Sequence, residues 1–187
     1  MANERKIDMV ILGLLSHEPL TGYDIKKRID GAIRFFWKGS FGSIYPALNA
    51  MEKDGLVTKE NSSESGREKI VYAITPSGTA ALTAWLKDSQ AKNELKYETL
   101  LKLFFGGTVD KQTTIHTIEM FEQNVRQELE LLKRYEQNLS RVLEQQDHVY
   151  YYLTVTFGIE TYEGYLRWCE KAKCMLSQKI KNNCSNV

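Results

Sequence analysis

Apolar residues at Ile7, Val10, Ile11, Leu14 and Leu15 recur at intervals of three and four, which predicts a first amphipathic helix. The run SHEPLTGYD breaks that pattern. A second helix is expected to begin at Thr21 or Gly22, with Tyr23, Ile25, Ile29 and Ile33 inward and Lys26, Lys27 and Arg28 partly outward. Residues 39–55, GSFGSIYPALNAMEKDG, form a third short helical pattern through Ile44, Tyr45, Leu48 and Met51. It stops at Asp54-Gly55, where glycine suits the left-handed residue after a helix end. Pro46 constrains where this helix starts, because proline is tolerated in a first turn, whose N–H groups have no helical partner. With Ser43 as N-cap, Pro46 is the third helical residue; with Ser40 as N-cap it lies deeper, over the carbonyl of Gly42. The residues by themselves favour Ser43.

The period then changes. LVTKE and KIVYAI are short runs rich in Val, Ile and Tyr, separated by the polar NSSESGR, and together they predict a β-hairpin with a long tip. Thr75-Pro76 reads as N-cap and first residue of a fourth helix, PSGTAALTAWLKD. ELKYETLLKLFFGG predicts a short helix ending at Gly106-Gly107. Asp110 then caps a long pattern through Ile115, Ile118, Phe121, Val125, Leu129, Leu132, Tyr135, Leu139 and Val142. A helix over 111–146 would be ~54 Å long at ~1.5 Å per residue. A second long pattern runs from Val149 to Ile180, with Gly158 and Gly164 allowing close helix approach. Two antiparallel helices cannot bury both apolar faces alone, so a partner is expected.

The fold class is therefore mainly α with a small β component. An N-terminal winged helix-turn-helix domain spans 1–88, and a C-terminal α-helical dimerisation domain spans 95–187. Composition narrows the function. Net charge is +1, with 12 Lys and Arg against 11 Asp and Glu in residues 1–90, and 13 of each in 91–187. Any DNA binding must come from a local patch rather than a global field. No apolar run of ~18 residues is present, so no membrane span is expected. The first residues make a poor signal peptide, and the odd set Cys169, Cys174 and Cys184 fits a reducing, cytoplasmic setting. Cys169 and Cys174 are five apart, off one helical face, and ordinary thiols are expected. His17, His116 and His148 lack metal-ligand spacing, and no phosphate loop, nucleophile elbow or acid pair appears, so neither enzyme activity nor a cofactor is expected.

Three helices followed by a hairpin place the third helix as the reader of a major groove about 12 Å wide. A small, polar first turn lets backbone N–H groups and hydroxyls approach phosphate, which fits Ser40 and Ser43. Tyr45 and Asn49 are candidates for base edges or phosphate, and Lys26 and Lys27 for phosphate. On the wing, Arg67 and Lys69 share one side of the strand, flanked by Glu64 and Glu68, which oppose phosphate approach. The alternative for each is an ordinary helix start, a half-buried tyrosine or a solvated charge run. At the whole-protein level the alternative is a winged-helix and coiled-coil adaptor that binds protein.

LGLLSHEPLTGYDIKKRI, GSIYPALNAMEKDGLV and REKIVYAITPSG, in that order and spacing, resemble the PadR family of bacterial transcriptional regulators over the first ~88 residues. VTFGIETYEGYLRWCEKA is similar to the helical dimerisation domain of longer members, including the phenolic-acid-responsive and virulence-activator branches. The resemblance implies a homodimer on a palindromic, double-stranded operator, usually as a repressor, often responsive to small aromatic or toxic compounds. It also implies that the third helix starts near Ser40. An aromatic or hydrophobic effector would be met by some of Phe36, Trp37, Trp85 and Tyr151, whose ordinary role is packing or dimer contact.

Overall fold

The computed structural model describes residues 4–31, 33–37, 41–62, 69–89, 91, 93, 96–145 and 147–177 of the 187. The chain divides into two compact units, 1–93 and 94–187.

The first unit orders α1 (Glu4–Leu15), β1 (Leu20–Thr21), α2 (Gly22–Gly31), α3 (Ile44–Lys53), β2 (Val57–Ser62), β3 (Lys69–Ile74) and α4 (Pro76–Lys87). Its core is one cluster: Ile7, Ile11, Leu12 and Leu15 of α1 meet Ile25 and Ile29, Ile44, Leu48 and Met51, with Val57, Tyr72 and Leu82 closing it. The expected helix faces are thus largely the buried ones. Tyr23 is the exception, 69% exposed rather than inward. Ile33 lies past the end of α2, in a 3-10 turn over Ile33–Phe35.

The hairpin pairs Val57 with Ile74 and Glu60 with Val71, antiparallel. An unexpected third strand, β1, pairs Leu20 with Tyr72 and Thr21 with Val71, so the sheet order is β1-β3-β2. The hairpin tip, 63–68, lies outside the described residues.

The third helix begins at Ile44 with Ser43 at its N-cap position, and a 3-10 turn over Phe41–Ser43 leads into it. Pro46 is therefore the third residue of α3, where its missing N–H leaves no helical bond unmade. Family resemblance implies a start near Ser40, and the helical backbone does begin at Phe41 with this 3-10 turn, the α-helix following from Ile44. Ser43 sits at φ −92°, ψ −10° and makes no side-chain capping bond. At the other end, Gly55 takes φ +70°, Leu56 N–H donates to Met51 O at 2.8 Å and Gly55 N–H to Glu52 O at 3.1 Å. This pair of bonds closes the last helical carbonyls, and Leu56 and Met51 pack together in the core cluster.

Thr75 joins the sheet to α4. Its hydroxyl accepts from Gly78 N–H at 3.0 Å as N-cap and lies 2.7 Å from Gly55 O, to which it donates. Thr75→Ala should cost about 1–2 kcal/mol, read as a lower urea midpoint at unchanged slope; a midpoint equal to wild type would remove this cap from the account.

The second unit orders α5 (Glu98–Phe104), a 3-10 turn (Gly106–Thr108), α6 (Lys111–Leu139) and α7 (His148–Ser177). Asp110 caps α6 by accepting from Thr113 N–H at 2.9 Å. At 29 residues α6 is about 44 Å long, not the longer helix to 146 that the apolar period predicted. The chain turns after Ser140 and returns through Asp147 at φ +67°. Cross-helix partners show α6 and α7 antiparallel: Tyr152 hydroxyl to Glu136 at 3.4 Å, Lys133 to Glu163 at 2.8 Å, and Lys173 to Glu122. Gly158 faces Leu132, where a Cβ would stand 3.2 Å from the Leu132 methyls, so this glycine sets a close approach. Ile180 and Cys184 lie outside the described residues.

Glu122 is 8% exposed, with Arg126 at 2.6 Å and Lys173 on its other oxygen. The hydrogen bond from Lys173, then that from Arg126, holds its carboxyl below the ordinary range against the opposing effect of burial. Beside it, burial pushes the Cys169 thiol up, as expected of an inert cysteine. An aromatic group packs nearby: Tyr97 lies edge-on to Phe121 and Tyr165, and its phenol, buried and bonded to that of Tyr165, is pushed well up.

Candidate nucleic-acid interface

α3 turns Ile44, Ala47, Leu48 and Met51 into the core, and this fixes what it presents outward: Tyr45, Pro46, Asn49, Ala50, Glu52 and Lys53. Tyr45 and Asn49, one turn apart, share that open side. Tyr45 is 57% exposed, yet the edge of its ring rests on Gly22 at the start of α2. Ser43 is half-buried at the head of the helix.

The start of α2 is built by a reciprocal cap. Asp24 N–H donates to the Thr21 hydroxyl at 3.1 Å, and the Asp24 carboxylate accepts from the Thr21 hydroxyl at 2.6 Å and from its N–H at 3.3 Å. These bonds, with Lys69 and Arg28 nearby, lower the Asp24 pKa. Thr21 pairs with Val71, two residues from Lys69, so the tip-side end of β3 runs beside the start of α2. Lys26 and Lys27 are exposed on α2, while Arg28 bonds Glu18. Lys53 and Lys59 are also exposed and were not among the sequence candidates. Lys53 ends α3, and Lys59 stands opposite Tyr72 in the hairpin, at the open edge of the face that buries Val57. Ser40 and Arg67 lie outside the described residues.

Three of the four aromatic candidates belong to the first unit and one to the second. Trp37 packs against the core of the first unit. Phe36 and Trp85 are exposed, and Tyr151 belongs to the second unit, its ring 6.0 Å from that of His148. An open groove of about 470 Å³ in the second unit is lined by other residues, among them Leu101, Phe105, Val109 and Thr114. Among the described residues no cluster of His, Cys, Asp or Glu could hold a metal ion, and no helix is long and apolar enough to cross a membrane.

A short helix with Tyr45 and Asn49 on its open side, lysines on the preceding helix and a hairpin following it is the layout of a winged helix-turn-helix. Comparison with known proteins agrees. Residues 11–84 match the transcriptional regulator PadR-like family, and residues 95–177 match the virulence activator alpha C-terminal family. The negative transcriptional regulator PadR of Bacillus subtilis is 25% identical over 93% of this chain and 99% of its own length. The crystal structure of that regulator in complex with operator DNA superposes with a TM-score of 0.82 at 27% identity, covering 92% of this chain and 98% of the other. Its complex with p-coumaric acid superposes at 0.70 with 26% identity, covering 94% and 98%. The two matched segments follow one another in the order of the two compact units, and the chain belongs to the PadR-like family of transcriptional regulators.

Proposed function

We propose that this protein is a cytoplasmic, homodimeric repressor that binds a palindromic operator and is released by a small aromatic or hydrophobic effector. The observation that carries the reading is the outward face of α3, where Tyr45 and Asn49 are exposed, together with the exposed Lys26 and Lys27 on the preceding helix. Residues 1–88 would bind DNA, with Ser40, Ser43, Tyr45, Asn49, Lys26 and Lys27 on the helices and Arg67 and Lys69 on the wing. Each protomer would place one α3 in one half-site, with half-sites about 34 Å apart. The operator complex of the Bacillus subtilis relative supports this use of the fold, and its p-coumaric acid complex supports an effector.

Dimerisation would be the work of 95–187. Phe104 is 82% exposed and Phe157 68%, with Leu101, Phe105, Tyr150 and Leu153 also open. So much apolar surface on one small unit is costly in water unless a second copy covers it.

The test separates phosphate from base contacts. Lys27→Ala should weaken binding to all duplexes alike and flatten the log–log salt dependence by about 1. Asn49→Ala should instead erode the preference for DNA from upstream of the protein's own gene over a scrambled duplex. An unchanged salt slope removes Lys27 from the interface, and an unchanged preference removes Asn49. Equal, weak binding of wild type to every duplex at low salt would favour the protein-binding adaptor.

A further inference from the structure

We propose that Gly22 is a positioning residue for DNA recognition: by leaving its Cβ space empty, it seats the Tyr45 ring across the start of α2 and so fixes how that phenol is presented. This rests on the reading of α3 as the DNA-facing helix. A Cβ built on Gly22 would stand 2.6 Å from Tyr45 Cε1, 3.0 Å from Cζ and 3.1 Å from the hydroxyl oxygen. No real side chain fits there while the ring stays.

Backbone conformation does not explain the glycine. Gly22 is the first residue of a regular helix, and Gly55 is the described glycine with positive φ. Alanine in that position would favour the helix by up to about 1 kcal/mol. Glycine is thus the poorer helix residue, and what it offers is room. Gly22 is buried although it opens a surface helix, and the atoms nearest to its missing Cβ are those of Tyr45.

The geometry leaves the other side of the ring open. Tyr45 remains 57% exposed, so one edge is held and the rest is free to meet a ligand. An unsupported tyrosine on a helix surface samples several rotamers, and ordering it on binding costs affinity. The glycine seat meets part of that cost in advance.

The experiment uses four full-length proteins: wild type, Gly22→Ala, Tyr45→Ala and the double variant. Duplexes are first selected by wild type from a random pool, and affinities for the best of them are compared with melting temperatures. Gly22→Ala is expected to lose roughly tenfold in affinity without melting lower. In the Tyr45→Ala background the same substitution should change affinity less than about twofold, because the three atoms nearest that Cβ all belong to the ring that has been removed. Equal losses in both backgrounds, or no loss in the first, overturn the proposal. Ring-labelled tyrosine NMR on the DNA-free proteins gives an independent readout, with the Tyr45 resonances expected to move in Gly22→Ala. Should wild type select no sequence, the DNA reading fails on its own, and an unmoved Tyr45 signal would separately refute the seat.

Discussion

Gly78→Ala is expected to destabilise the N-terminal unit by about 3 kcal/mol and lower its melting temperature by on the order of 10–20 °C. A Cβ on Gly78 would stand 2.2 Å from the carbonyl oxygen of Leu56, 2.9 Å from Ile74 Cγ1 and 3.1 Å from Leu12 Cδ2. The first of these is backbone at the root of β2, and it cannot swing aside as a side chain can. Relief requires α4 to lift from the sheet and from α1, which opens the core at Leu82. Gly13→Ala is the matched control, since nothing lies within 4 Å of its Cβ position in α1. That variant should gain about 0.5–1 kcal/mol from helix propensity. Thermal melts of both would check the pair, and equal melting temperatures would contradict the packing described at Gly78.

Glu122→Gln is expected to cost the second unit about 2 kcal/mol at neutral pH. Breaking a fully buried ion pair costs more, but Lys173 and Arg126 keep partial access to water and are partly screened. The folded carboxyl titrates below its unfolded value of about 4.3, so its contribution is complete above that pH and is lost as pH falls through the folded value. Lys173 responds in the complementary sense, its ammonium pKa raised chiefly by the hydrogen bond to Glu122. Urea melts should therefore show a constant gap between wild type and variant from about pH 6 to 8, closing below about pH 4. A gap that persists unchanged in acid would mean that shape, not charge, matters at this position. Replacing the pair together, Glu122→Leu with Lys173→Met, should recover most of the loss.

Much of the fold was legible in the chain because its helices carry strong apolar stripes and standard ends. Asp110, Thr75-Pro76 and Gly55 act as their chemistry predicts, and Ser43 stands where Pro46 requires the helix to start. The failures have identifiable physics. The inward stripe of α2 is Gly22, Ile25 and Ile29; glycine carries no hydrophobic signal, and the neighbouring Tyr23 carries a false one. β1 is two residues long, too short to show alternation, and exists because β3 offers it a partner. Val142 continues the period of α6 beyond its end at Leu139, since periodicity reports which face is buried and not where a helical hairpin must close. At the candidate site, single residues could be nominated from the sequence, but the nearness of Lys69 to Asp24 and the seat of Tyr45 on Gly22 depend on register and packing.

The root of the wing is clamped on both strands. Thr75 N–H donates to Leu56 O at 3.1 Å, and its hydroxyl donates to Gly55 O, so the two residues before β2 and the residue after β3 are tied together between the end of α3 and the start of α4. The hairpin therefore has no hinge at its base. A torque applied at its far end, where a wing meets a phosphate backbone, is resisted there and delivered to the C-terminal turn of α3. The hairpin and α3 are therefore expected to tilt together as one lever, so that in the proposed DNA complex a change of angle at one is carried to the other.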